Sequence, residues 1–188
     1  WDGLFALAAK VNALGGGVRG FHYDWDISGN WLWQALVYSH GGAMTSPDER
    51  RVQFGDRSGQ AAIKRLGEMR TIAGMKDVPY TVSVQDFIAG NLAIWVQTTA
   101  FLGNVTRQVG DKFTFKTVAY PLGVSGGKVP AGGNVAMMLT KDPQKQKAAW
   151  RYLKFLASPE AATLMVNATG YFPANDTAIT KQEFLAAF

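Results

Sequence analysis

The stretch that most constrains this chain runs from Pro130 to Asn175, because its turn and cap residues leave few ways to fold it. Pro130-Ala-Gly-Gly-Asn134 is a glycine turn, and Val135-Ala-Met-Met-Leu139 after it reads as a strand. Asp142 is a good N-cap, and Pro143 fits the first helical position, where its missing N–H is not needed. Ala149, Leu153 and Leu156 then fall on one stripe, with Trp150 beside it, at the spacing of a core-facing helix that stops at Ala157. Ser158-Pro159-Glu160 repeats the device: a cap, a proline, and an acid at the positive end of the helix. This second helix is short and apolar (Ala161, Leu164, Met165, Ala168) and ends at Gly170, a natural residue for the left-handed C′ position. Tyr171-Phe172-Pro173-Ala174-Asn175 follows, an aromatic pair held extended before a proline.

Composition narrows the class. With 188 residues the chain is long enough for one large domain or two small ones, and 47% apolar against 18% charged residues describes a globular protein. No run approaches the roughly 18 uninterrupted apolar residues of a membrane span. The chain opens on Trp1, directly in a helical pattern and without a signal peptide, so it reads as a processed, excised or incompletely represented chain. The absence of cysteine excludes disulfides and zinc–thiolate sites. A net charge of +5 raises nucleic acid as a partner. The basic residues are scattered, however, and several (Lys145, Arg151, Lys154) fall on outer helix faces, so they read as solvated surface and no nucleic-acid partner is expected.

Before this stretch, helix and strand signals alternate. Trp1, Leu4, Phe5, Ala8 and Val11 make a helical stripe closed by Gly15-Gly16-Gly17. Val18 to Tyr23 predicts a strand, Asp24 to Asn30 a polar loop, and Trp31 to about His40 a helix. A short strand over Arg51–Phe54 and a helix from about Ser58 to Ala73 come next. After a short helix at Asp86 to Ala89 and a turn at Gly90, Ala93 to Val96 predicts a buried strand. Thr98 and Thr99 start a helix that reaches Val109. Phe113 to Ala119 alternates as a strand does, and 123 to 128 is a loop.

Three places combine aromatic surface with hydrogen-bonding groups, the pairing that a small-molecule binding site needs. Trp31 and Trp33 start a helix beside Asp24, Trp25, Asp26, Ser28 and Asn30; two residues apart, they do not share a face. Thr98 and Thr99 sit at a helix N-terminus, where free N–H groups and positive potential suit oxygen ligands. Gly132-Gly133-Asn134 allows close backbone approach, and Tyr171 is an amphipathic loop residue. Other constellations fail. Gly123-Val-Ser-Gly-Gly-Lys128 is too short for a phosphate loop and has Val129 where Ser or Thr is required. His22 and His40 have no nucleophile or metal partner nearby, so no catalytic set, metal site or cofactor is expected. Asp24 and Asp26 are the acids that a glycan-processing enzyme on an α/β scaffold would use, and that is the rival reading.

Taken in order, "AGGNVAMML", "AAWRYLKFLASPEAATLMVNATGYFPAN", "WDGLFALAAKV" at the start and "DFIAGNLAI" in the middle resemble the extracellular solute-binding proteins of ABC-type sugar importers, family 1. The pattern is nearest to that family's glycerol-3-phosphate and disaccharide binders. The resemblance implies an α/β fold of the periplasmic-binding-protein type II kind: two lobes joined by hinge crossovers, with the first lobe largely missing. Residues 1–120 would belong to the second lobe, 121–175 would return to the first, and 176–188, with a last helix over Lys181–Phe188, would start back. It also implies capture of an oligosaccharide or polyol phosphate in an interlobe cleft, delivery to a membrane permease, and a periplasmic or extracellular location, lipid-anchored in some members. The implied ligand contacts are Trp31 (with Trp33 in the core), Asp26, Asn30, Thr98, Thr99, Gly133 and Tyr171.

Overall fold

A computed structural model describes residues 1–180, so the helix expected over Lys181–Phe188 lies outside the described residues. They fold into two compact units. Trp1–Thr98 with Gln108–Ala131 form the first; Thr99–Arg107 with the described residues from Gly132 to Thr180 form the second.

The first unit is built on two parallel strands, β1 (Arg19–Tyr23) and β2 (Leu92–Val96), with Phe21 opposite Ile94 and Tyr23 opposite Val96. Parallel pairing requires a long crossover. Here it runs through α2 (Gly29–Ser39), α3 (Arg57–Thr71) and α4 (Tyr80–Ile88), while α1 (Asp2–Ala13) precedes β1. Phe5, Ala8, Phe21, Tyr23, Leu36 and Met69 lie at the centre of the core, each at most 2% exposed. Trp1 packs its ring on Phe5, Tyr23 and Tyr120, at centroid distances of 5.6, 6.2 and 5.4 Å. The Tyr23 hydroxyl donates to the Leu32 carbonyl at 2.7 Å and lies 2.7 Å from the Tyr120 hydroxyl, so burial of both rings leaves neither phenol unpaired. Asn12 ties three elements together: its carbonyl accepts from Gly20 N–H at 2.7 Å and its amide donates to the Ala73 carbonyl at 2.9 Å.

In the second unit, α6 (Pro143–Leu156) and α7 (Pro159–Thr169) have the caps read from the sequence. The Asp142 carboxylate accepts from Gln144 and Lys145 N–H at 2.8 and 3.3 Å, and Ser158 Oγ accepts from Ala161 N–H at 3.2 Å. Gly170 closes α7 at φ +84°, left-handed as expected. α7 buries Ala161, Ala162, Thr163 and Val166, leaving Leu164 and Met165 half exposed. A 3₁₀ turn (Thr99–Phe101) leads into α5 (Leu102–Val109), and α8 (Asp176–Ile179) is a short helix capped by Asn175.

Three expected strands differ. Phe113 to Ala119 and Val135 to Leu139 form no ladder among the described residues, and Arg51–Phe54 contributes one bridge, Val52 to Thr45. A strand exists only when a partner supplies its hydrogen bonds. The alternation at 113–119 is nonetheless used, because Phe113 and Phe115 pack on Phe87 at 6.0 and 5.6 Å. Val135, Met137 and Leu139 are 82%, 72% and 84% exposed, so most of that segment's apolar surface is left open. β2, read as buried, buries Leu92, exposes Ala93 and half-buries Ile94 to Val96. No described helix is long and apolar enough to cross a membrane.

Candidate functional site: a cleft beside α2 and its aspartate anchor

The loop between β1 and α2 is organised by Asp24, which is fully buried. Its carboxylate accepts from Asp26 N–H at 3.0 Å, Ser28 N–H at 3.3 Å and the Gln97 amide at 2.6 Å. Short polar side chains bond readily to backbone a few residues ahead, which makes this a tight polar turn. Gln97 passes the restraint on: its carbonyl oxygen accepts from Thr98 N–H at 2.8 Å. One buried carboxylate therefore fixes both the entry to α2 and the exit from β2. Catalysis by Asp24 would require contact with a substrate; its carboxylate instead lies fully buried on three internal donors. Among the described residues, no three of His, Asp and Glu gather as metal ligands would.

His22 stands two residues before Asp24 on β1, opposite Trp95, and is fully buried with no hydrogen-bond partner at either ring nitrogen. Burial, then the nearby Arg19 cation, pull its pKa below the usual 6.5 against the opposing pull of Asp24, Asp77 and Asp86. The unfolded chain therefore takes up a proton at higher pH than the folded one. The contribution of His22 to stability declines as pH falls below about 6.5 and levels off beneath the folded pKa. Urea unfolding from pH 7.5 to 4.5 is expected to show that decline, and His22→Leu to flatten it; an unchanged slope in His22→Leu would refute it.

Asp26 is exposed, and its carboxylate accepts from Tyr80 N–H at 3.3 Å. Asn30 is exposed and accepts from Trp31 N–H at 2.8 Å. α2 then separates its tryptophans. Trp33 packs against the core, its ring 6.4 Å from Phe54 in an edge-on arrangement. Trp31 instead lines an open cleft of about 500 Å³ with Gln34, Tyr38, Gly41, Gly42 and residues of the 126–131 segment, Lys128 among them. Gln34, Tyr38 and Lys128 were not singled out from sequence. The signal for the first two was present, since 31, 34 and 38 share one helix face.

The remaining sequence-predicted residues lie in the second unit, Thr98 excepted, which is half-buried in the first. Thr99 is exposed at the start of the 3₁₀ turn. Gly133 and Tyr171 line one hollow of about 560 Å³, with Asn134, Leu153, Met165 and Phe172 on its wall. The structure thus groups Asp26, Asn30 and Trp31 at the Asp24 loop, and Gly133 with Tyr171 in the second unit.

Comparison with known structures identifies the fold as the α/β fold of the type II periplasmic binding proteins. A maltose-bound MalE3 of T. maritima matches at a TM-score of 0.73 and 17% identity, over 100% of this chain and 50% of that one. The maltotriose-binding protein of Thermus thermophilus, bound to maltotriose, matches at 0.68 and 21%, over 100% and 52%. UgpB of Mycobacterium tuberculosis, in complex with glycerophosphocholine, matches at 0.66 and 18%, over 94% and 44%. The sequence model described as bacterial extracellular solute-binding protein matches residues 1–187, and the chain belongs to that family. A candidate binding protein of Brucella abortus (strain 2308) is 24% identical over 190 residues, which cover 93% of this chain and 43% of that protein. The chain thus spans about half the length of the proteins it matches.

Proposed function

We propose that this chain is part of the substrate-binding component of an ABC importer, which captures a carbohydrate, an oligosaccharide or a polyol phosphate, and delivers it to a membrane permease. The observation that carries the reading is Trp31. An indole on the wall of an open cleft, flanked by an amide and a phenol, offers a flat apolar face for sugar C–H groups and partners for hydroxyls. Membership of an extracellular solute-binding family and the sugar complexes among the similar structures support it. Asp26, Asn30, Thr98, Thr99, Gly133 and Tyr171 are proposed as further contacts, and the protein as periplasmic or extracellular, where a lipid anchor would be compatible with the reading. The lobe assignment, with 1–120 in the second lobe and 121–175 returning to the first, is part of the same proposal.

Calorimetric titration with maltotriose, maltose and glycerol 3-phosphate tests the contact residue. For the ligand that binds, Trp31→Ala is expected to weaken affinity about tenfold, equal to about 1.4 kcal/mol of lost stacking. Unchanged affinity in Trp31→Ala would remove Trp31 from the site.

A further inference from the structure

Among the described residues that line the cleft beside α2, Lys128 is the one with a formal charge. We propose that this cleft selects ligands bearing a negatively charged substituent, a phosphate or a carboxylate on a sugar or polyol, and that Lys128 is the residue that makes the selection. The inference rests on the carbohydrate reading above and adds the charge class of the ligand.

The position of Lys128 is built. The loop over 123–128 folds onto the C-terminal end of α2, where Gly123 and Val124 N–H donate to the Ser39 carbonyl at 2.9 and 3.0 Å. Lys128 N–H donates to the Tyr38 carbonyl at 3.0 Å. Close approach sets the glycines in this loop. A Cβ at Gly127 would fall 2.2 Å from the Ser39 carbonyl oxygen, and one at Gly123 would fall 2.4 Å from the His40 ring. Gly126 adds a left-handed turn at φ +76°. The residues that made 123–128 look like a failed phosphate loop thus serve to hold it against the helix, with Lys128 beside Tyr38 at the cleft.

The charge of Lys128 is uncommitted. Arg19 pairs with Asp86, and Arg65 and Lys64 pair with Glu68, but among the described residues no carboxylate pairs with Lys128. Among the described residues, no acid lines the cleft to offset it. The ammonium is exposed, on a flexible stem with three donors, and free to turn toward a ligand stacked on Trp31. Neutral hydroxyls have partners in Gln34 and Tyr38; the group the cleft favours beyond them is an anion.

Calorimetry on the protein with three probes tests this: maltotriose, the same trisaccharide oxidised to a terminal uronate, and glycerol 3-phosphate. At least one anionic probe is expected to bind about tenfold tighter than maltotriose, as a charge-assisted hydrogen bond would give. The preference should shrink with added salt. Lys128→Met should cut the anionic-to-neutral ratio at least fivefold, with Lys128→Arg keeping most of it, and both variants melting like the parent. The uronate and phosphate arms separate carboxylate from phosphate as the preferred group. Maltotriose binding as tightly as both anions, or a ratio untouched by Lys128→Met, would overturn the inference and leave the carbohydrate reading standing. Binding of none of the three would overturn both.

Discussion

Replacing Asp24 with alanine is expected to cost the folded protein about 3 kcal/mol, the sum of several orphaned donors rather than of lost packing. The substitution strands Asp26 N–H, Ser28 N–H and the Gln97 amide at once, the last of these bonded at 2.6 Å. Ser28, at 7% exposure, has little access to replacement water. Asp24→Asn keeps one acceptor but brings an NH₂ among donors, so about half the loss is expected. The pair with Gln97 is separable by a double-mutant cycle, with a coupling of about 1.5–3 kcal/mol expected for a charged hydrogen bond. Because the same carboxylate fixes the start of α2, the loss of order should also reach Trp31. Additive effects of Asp24→Ala and Gln97→Ala in urea unfolding would show that the two residues act independently.

A single methyl group at position 20 is expected to do comparable damage for a different reason. Gly20 lies on β1 beneath α1, and a Cβ there would sit 2.1 Å from the Ala8 carbonyl oxygen and 2.7 Å from its carbon. The obstacle is backbone, and Ala8 is itself fully buried, so relief requires lifting α1 off the strand. Overpacking of this kind costs about 3 kcal/mol. It would also strain the hydrogen bond from Gly20 N–H to Asn12, whose amide reaches Ala73. Gly67→Ala supplies the contrast. That glycine is exposed within α3 with nothing within 4 Å of its added Cβ, so the same change should stabilise by about 0.5–1 kcal/mol. Equal melting temperatures for Gly20→Ala and the parent would contradict the packing described for α1.

What the sequence made legible, and what it did not, divides along the distance between interacting residues. The caps at Asp142 and Ser158 and the stop at Gly170 were readable because each satisfies backbone groups within a turn of itself. The strand over Arg19–Tyr23 was readable because its strand-prone aromatics, Phe21 and Tyr23, run up to the polar loop at Asp24. The segments over 113–119 and 135–139 carry strand-like residues without a ladder among the described residues, since pairing depends on another part of the chain that sequence pattern does not display. Asp24-Trp25-Asp26 looked like a pair of acids for chemistry; its anchoring role depends on Gln97, 73 residues away. Lys128 was legible only as the end of a poor phosphate loop, because its place beside Tyr38 arises from contacts with a helix some ninety residues earlier. The separation of Trp31 from Trp33 followed from helix geometry alone, and the structure turns the two rings to different surroundings.

The most direct test of the central claim is titration of the protein with maltose, maltotriose and glycerol 3-phosphate by calorimetry, with melting followed in parallel. At least one saturable isotherm is predicted, together with a stabilisation of about 2.7 kcal/mol when that ligand is present at about 100 times its dissociation constant. No heat and no shift in melting with any of the three would contradict the carbohydrate-binding account.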